Sequence, residues 1–255
     1  MLRCLRADLH IHTCLSPCGD LTMSPYRIVK RTRAMKLDIL GICDHNSAEN
    51  IQATINASSD ENITVLAGME VTTAEEVHII ALFDETREVL GLQKQVYEHL
   101  PPGVNKEALF GPQIIVNELD EVVGYNKRLL ITATSITLKE LVEQIHDMGG
   151  LAIASHVDRE TYGIIGQLGF IPDDLELDAL EISPHMTRSD ALARFPEIKK
   201  FPLVAASDAH HLEDIGKATT SFLLEAPTID EIRKALRNQL GRRIIIGSNE
   251  DSLEV

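Results

Sequence analysis

The sequence predicts an α/β fold built of strand–helix units around a mainly parallel sheet, and three observations carry that prediction. Short apolar runs alternate along the chain with segments of helical periodicity. The helical segments bring their own start and stop signals. Nearly every apolar run ends at a histidine, an aspartate or a glutamate. With 255 residues, 44% hydrophobic and 25% charged, the chain has the balance of a globular protein with room for a large core.

The first strand is expected over residues 5–11, inside the run Ala7-Asp8-Leu9-His10-Ile11-His12-Thr13. Residues i and i+2 of a strand share a face, so His10 and His12 can turn toward one point. The same spacing also suits two polar residues on a solvated strand face. Thr22-Met23-Ser24-Pro25 offers a cap and a first-turn proline for a helix over 26–36. Strands follow at 39–43, 64–70 and 77–83.

Residues 84–136 break the rhythm. A charged helical segment at 85–99 stops at Pro101-Pro102-Gly103, and short strands with polar turns are expected at 113–116, 121–124 and 129–132. About 50 residues is small for an independent core. The segment is therefore an insertion on one strand-to-helix loop of a single domain spanning 1–255, and a candidate lid. Thr137-Leu138-Lys139-Glu140 forms a capping box for a helix through Met148, which Gly149-Gly150 ends. Strands are expected at 151–155, 179–182 and 203–206. The last helix starts on the repeated signal Thr228-Ile229-Asp230-Glu231 and ends about Gly241.

A net charge of −15 repels a polyphosphate backbone, so stable binding to long nucleic acid is not expected. No apolar stretch approaches the roughly 20 residues that cross a bilayer, and the first six residues lack the apolar core of a secretory signal. The expected location is cytoplasmic, with no membrane partner. Cys4, Cys14, Cys18 and Cys43 all fall near the start of the chain, which does not suit a disulfide framework. Cys4 and Cys43 are expected as buried strand residues.

Chemistry-bearing residues recur where strands end. Asp44 and His45 follow one apolar run, Glu70 ends the next, His78 opens a third, His156 follows 151–155, and Asp208 and His210 follow 203–206. In a barrel of parallel strands all the carboxyl ends open on one face, so these scattered groups would converge. Singly, each has an ordinary structural explanation as a hydrogen-bonded buried residue. His99 and His146 belong to amphipathic helices, His211 is a neighbour of the site or merely exposed, and His185 is ambiguous.

The ordered set Asp8-Leu9-His10-Ile11-His12-Thr13, Cys43-Asp44-His45-Asn46, Gly68-Met69-Glu70, His78, Gly149 through His156 and Ser207-Asp208-Ala209-His210 resembles the PHP (polymerase and histidinol phosphatase) superfamily of metal-dependent phosphoesterases. The resemblance spans most of the chain. It implies a distorted (β/α)7 TIM-like barrel, here with an inserted helix and β-hairpin segment. It also implies two or three divalent metal ions, zinc, manganese or iron, at the carboxyl ends of the strands. Carried over by position, His10, His12, Glu70 and Asp208 hold one metal. Glu70 bridges to a second, held by His78 and His156, while His45 and His210 hold a third. Many members continue the first motif with an aspartate, or with a histidine one position later. This chain has Pro17 and Cys18 there, so Cys18 and Asp20 compete as the remaining ligand.

The activity so implied is hydrolysis of a small phosphorylated substrate by metal-activated hydroxide. A nucleotide, or a sugar or amino-alcohol phosphate such as histidinol phosphate, would qualify. Arg159 is the nominated phosphate contact and Arg188 a more distant one. Asp44 either orients a ligand, handles the leaving-group proton, or caps the following turn. Glu181 faces the presumed cleft in a supporting or a catalytic role. Two other functions stay open: an exonuclease-like phosphodiesterase on nucleic-acid ends, and a non-catalytic metal-binding regulatory module.

Overall fold

Leu5, Ala7 and Leu9 on the first strand, β1 (Arg3–Ile11), begin an apolar column that continues around a single curved sheet. The computed structural model describes residues 1–246. After β1 come α1 (Pro25–Ala34), β2 (Ile39–Ile42), α2 (Ile51–Ala57), β3 (Thr64–Thr72) and β4 (His78–Phe83). The inserted segment supplies α3 (Thr86–His99), the single turn α4 (Glu107–Phe110) and the hairpin β5 (Ile114–Val116) and β6 (Val122–Tyr125). The chain then alternates through α5 (Leu138–Asp147), β7 (Leu151–Ala154), α6 (Ile164–Leu168), β8 (Ala179–Ile182), α7 (Arg188–Arg194) and β9 (Leu203–Ala205). It closes with β10 (Thr220–Leu224), α8 (Ile229–Leu236) and β11 (Arg243–Ile246).

Nine strands form one nearly closed, barrel-shaped sheet in the order β11-β10-β1-β2-β3-β4-β7-β8-β9. Closure occurs at the mouth, where Ile11 bridges Ala209 and His12 N–H donates to the Ala209 carbonyl at 3.0 Å. Strand β10 pairs with residues 3–7 of β1 and leaves the other half of β1 free to meet the segment after β9. Seven strands thus carry the barrel, with β10 and β11 added at one edge.

Apolar residues alternate between two layers, as period-2 strands require. Leu40, Ile42, Val65, Ala67, Ala152 and Leu180 face outward and pack with Ile28, Ile51, Leu92 and Leu141 of the helices. Leu9, Ile39, Leu66, Ile80, Ile153, Ala179 and Val204 belong to the inner layer, which Ile232 and Leu236 of α8 and Phe222 of β10 complete. A Cβ on Gly68, in the inner column, would lie 2.7 Å from the Ile42 carbonyl oxygen. Glycine is what lets β2, β3 and β4 close up beneath the mouth.

Three expectations are corrected. β4 runs antiparallel to both neighbours, so His78 reaches the mouth from the start of a strand, not its end. The insertion accordingly leaves from the bottom of the barrel, and α3 carries the chain back up before 100–135 project beside the mouth. Residues 129–132 form a turn, because the Leu130 and Thr132 carbonyls are taken by the Asn46 side-chain amide instead of a strand partner. Finally, Cys4 is exposed. The capping box at Thr137 and Glu140 is present in full, whereas at Thr228 only the side-chain half forms, since Glu231 turns to the Glu225 N–H.

Candidate metal centre

The polar residues at the mouth continue the inner columns of the barrel. His45 follows Ile39, Gly41 and Cys43 at period 2; Glu70 follows Leu66 and Gly68; His78 precedes Ile80 and Leu82; Glu181 follows Ala179; Asp208 follows Val204 and Ala206. β1 would break this pattern, because Ala7 and Leu9 point inward and would send His10 and His12 outward. A bulge corrects it. Asp8 pairs with Leu40 and Ile11 with Ile42, three residues against two, so the register slips by one and both histidines turn inward.

Six imidazoles and two carboxylates therefore meet in one place. His10 Nε2 and His12 Nε2 lie 3.1 Å apart, each 3.4 Å from Glu70 Oε2 and at 3.3 and 3.0 Å from Asp208 Oδ1. His45 Nδ1 is 3.1 Å from Glu70 Oε2, while His78 Nδ1 and His156 Nε2 are 3.0 and 3.3 Å from Glu70 Oε1. The ligand-type atoms form three overlapping groups: His10, His12, Glu70 and Asp208; His45, Glu70 and His78; and His12, Cys18, His45 and His210. Glu70 belongs to the first two groups, with Oε2 facing His10, His12 and His45 and Oε1 facing His78 and His156.

These donors fit divalent cations on two grounds. Imidazole with carboxylate is a donor set for zinc, manganese or iron. In addition, Glu70 Oε1, His78 Nδ1 and His156 Nδ1 are buried without a hydrogen-bond partner. Leaving such a group unpaired costs about 1–3 kcal/mol, and Glu70 Oε1 and His78 Nδ1, 3.0 Å apart, are placed to share a cation instead.

Neighbouring residues fix which nitrogen of each ring is free. Glu181 accepts from His10 Nδ1–H at 3.0 Å, and the Asp208 carbonyl accepts from His210 Nδ1–H at 2.7 Å, which makes Nε2 the nitrogen each ring can turn to a cation. Ser16 does the same for His12: its hydroxyl donates to Asp44 Oδ1 at 2.7 Å and accepts from His12 Nδ1–H at 2.9 Å and from the His45 N–H at 3.1 Å. Asp44 also holds the Thr13 N–H and hydroxyl. Both its oxygens are thus engaged beneath the first loop, and of the roles open to it the geometry supports positioning. Ser16→Ala is expected to weaken cation binding by about 10–100-fold by freeing the His12 ring, with the fold intact by circular dichroism. Calorimetric titration checks this; unchanged affinity would remove Ser16 from the site.

Charge balance without a cation is kept by protons. Burial works against charge on His10, but Glu181, Glu70 and Asp208 outweigh it and hold its pKa well above the ordinary value. Burial also opposes charge on His12, yet hydrogen bonds with Asp208 and Glu70 push it up to about 9. Burial would raise Glu70, and its histidine neighbours draw it well below the usual range instead. Burial, with His12 nearby, lowers His210 to about 4.

Other expected residues separate clearly. Cys18 Sγ lies 2.9 Å from His210 Nε2. Asp20 turns away, its Oδ1 accepting from the Thr22 N–H and hydroxyl, and joins no ligand group among the described residues. Arg159 reaches Asp208 Oδ2 at 2.6 Å and lines a cavity of about 530 Å³ with His185, His210 and Lys217. Arg188 is exposed on α7 and does not line it. His146 and Asp178 pair near Arg233 and Arg237 at the opposite end, around a cavity of about 550 Å³ whose charges are already matched. Ser16, Thr13 and Tyr162, whose ring stacks on His78 at 4.3 Å, escape sequence reasoning because no periodicity links them to their partners.

Residues 8–169 match the family model of the PHP domain, and 192–239 match that of a PHP-associated segment. The Bacillus subtilis protein YqxK, itself uncharacterized, is 24% identical over 97% of this chain and 65% of its own length. A 5'-3' exoribonuclease of Haemophilus influenzae is 24% identical over 58% of this chain and 68% of its own. Among solved structures, the lesion-specific endonuclease Q of Pyrococcus furiosus superposes with a TM-score of 0.71 at 18% identity, over 95% of this chain and 58% of that one. An endonuclease Q complex with a 27-mer duplex carrying an abasic lesion at the active site gives a TM-score of 0.69 at 16% identity, over 94% of this chain and 58% of that one. This chain therefore spans less than two thirds of YqxK and of endonuclease Q.

Proposed function

The chain belongs to the PHP domain family, and on that footing we propose that it is a metal-dependent phosphoesterase acting on small phosphate esters. The observation that carries this reading is the convergence of His10, His12, His45, His78, His156, Glu70 and Asp208 on one point at the barrel mouth. Divalent cations, when bound, supply Lewis-acid charge to phosphoryl oxygens and lower the pKa of water.

The chain's own residues do the rest. Glu181 and Ser16 hold His10 and His12 in the tautomers that present Nε2 to the first group. Arg159 offers its remaining N–H donors to the cavity, where they can receive phosphate oxygens in a forked geometry. Lys217, which is paired with Asp214, and His185 line the same wall. The projecting 100–135 segment docks its hairpin against the first loop, with the Ile114 N–H donating to the Cys14 carbonyl at 3.0 Å, and we ascribe to it the limiting of entry to compact substrates.

A panel of mononucleotides, sugar phosphates and amino-alcohol phosphates tests this, run with zinc, manganese and iron beside 5'-phosphorylated oligonucleotides. Faster turnover of the small esters is expected. Arg159→Ala should raise KM for them by about tenfold or more, the worth of a charge-assisted hydrogen bond; an unchanged KM would take Arg159 out of the phosphate site. Similarity to a 5'-3' exoribonuclease favours a second reading, cleavage at nucleic-acid ends, which a preference for oligonucleotides would establish. The net charge of −15 weighs against long strands. Absence of hydrolysis with every metal in a folded sample would leave a binding module. No helix among the described residues is long and apolar enough to cross a membrane.

A further inference from the structure

We infer that the outermost group at the barrel mouth is a thiolate cation site, in which Cys18 Sγ, His45 and His210 take a zinc- or cobalt-type ion rather than a hard cation. The inference rests on the reading that the mouth binds cations, and concerns which ion this chain's departure from the common motif selects.

Four observations converge. Sγ of Cys18 lies within 4.8 Å of ligand nitrogens from His12, His45 and His210, in a group that contains no carboxylate. The nitrogen facing the thiol, His210 Nε2, is a lone pair, since Nδ1–H is already given to the Asp208 carbonyl. His12 has one free nitrogen to share between two groups. With that nitrogen beside Asp208 at 3.0 Å, and with His45 meeting Glu70 through Nδ1 at 3.1 Å so that its Nε2 stays available, Cys18, His45 and His210 remain, a three-ligand set of the kind that keeps a position free.

The loop that carries the thiol is also fixed in place. Asp44 clamps Thr13 and Ser16, the Gly19 N–H donates to Ser16 O at 3.0 Å, and a Cβ on Gly19 would lie 2.3 Å from the Thr13 oxygen. Next, the Asp20 N–H donates to the His210 carbonyl at 2.9 Å, tying this loop to the one that bears its partner. That bond leaves the Asp20 carboxylate on Thr22, so the expected competitor is removed by geometry. Cys14, the other cysteine of the loop, is buried against Ile114 O. Sulfur with imidazole nitrogen prefers soft and borderline ions, in contrast to the carboxylate-rich group around Asp208.

Cobalt(II) loading reads the thiolate directly, through sulfur-to-cobalt charge-transfer absorption in the near ultraviolet. The band is expected in the wild type and in Cys4→Ser, which controls for the other exposed thiol, and is expected to vanish in Cys18→Ser. Elemental analysis after zinc loading should show one ion fewer in Cys18→Ser, and Cys18→His should regain the ion without the band. A wild type that binds cobalt without the band overturns the inference, as does a band that survives in Cys18→Ser. If both proteins load equally and hydrolyse phosphate esters, thiolate ligation alone fails. If neither binds any cation, the phosphoesterase reading fails with it.

Discussion

Glu70→Gln is expected to lower turnover by well over 10²-fold, a floor set by what the loss of a partner that merely orients a metal ligand costs. The residue sits at the centre of the cluster, with Oε2 toward His10, His12 and His45 and Oε1 toward His78 and His156. Glutamine keeps the shape and presents a neutral oxygen on one side only, so two cation positions lose charge and one loses a ligand. Asp208→Asn should act similarly and also free Arg159, whose guanidinium it holds at 2.6 Å. Metal content by elemental analysis should fall with activity while circular dichroism stays native. Near-wild-type rates in either variant would refute the cluster as the reactive centre.

Chelation should remove activity reversibly and lower Tm. A cation at a hundredfold excess over its Kd stabilises the folded state by about 2.7 kcal/mol, roughly 5–10 °C for a domain of this size. The pH dependence gives the effect a signature. In the metal-free protein the raised pKa of His12, about 9 against an ordinary 6.5, contributes stability that is whole below 6.5 and is lost as pH rises through 9. His10 acts in the same direction. The depressed carboxyls of Glu70 and Asp208 contribute stability above their ordinary range that is lost as pH falls below it. His45 and His210, which burial lowers, act oppositely and cost stability as pH falls below 6.5, so metal-free Tm should peak near that pH and drop toward pH 9. With cations bound, those histidine protons are displaced and the alkaline drop should disappear. Parallel Tm–pH curves for the loaded and chelated protein would contradict the assignment.

How far the sequence could be read follows from how local each signal is. The columns ending in His45, Glu70 and Asp208 were legible because a period-2 apolar run states its own face and its own end. The capping box at Thr137 and Glu140 was legible because both partners lie within one turn. β10 and β11 passed unnoticed, since an edge pair leaves exposed positions such as Ile245 and a weaker apolar signature. The direction of β4 was likewise hidden, because a strand reads the same in either orientation.

Residue types and their order were enough to set the α/β class, the strands that carry ligands and the kinship with a metal-dependent family. What the tertiary structure alone decided were the choices that depend on contacts distant in sequence. The bulge opposite β2 turns His10 and His12 inward. Glu181, 171 residues away, fixes the tautomer of His10. The bond from Asp20 N–H to His210 O leaves Cys18, and not the Asp20 carboxylate, at the mouth. Side-chain identity travels with the chain, whereas the direction of a lone pair is set by whichever backbone or side chain the fold brings against the ring.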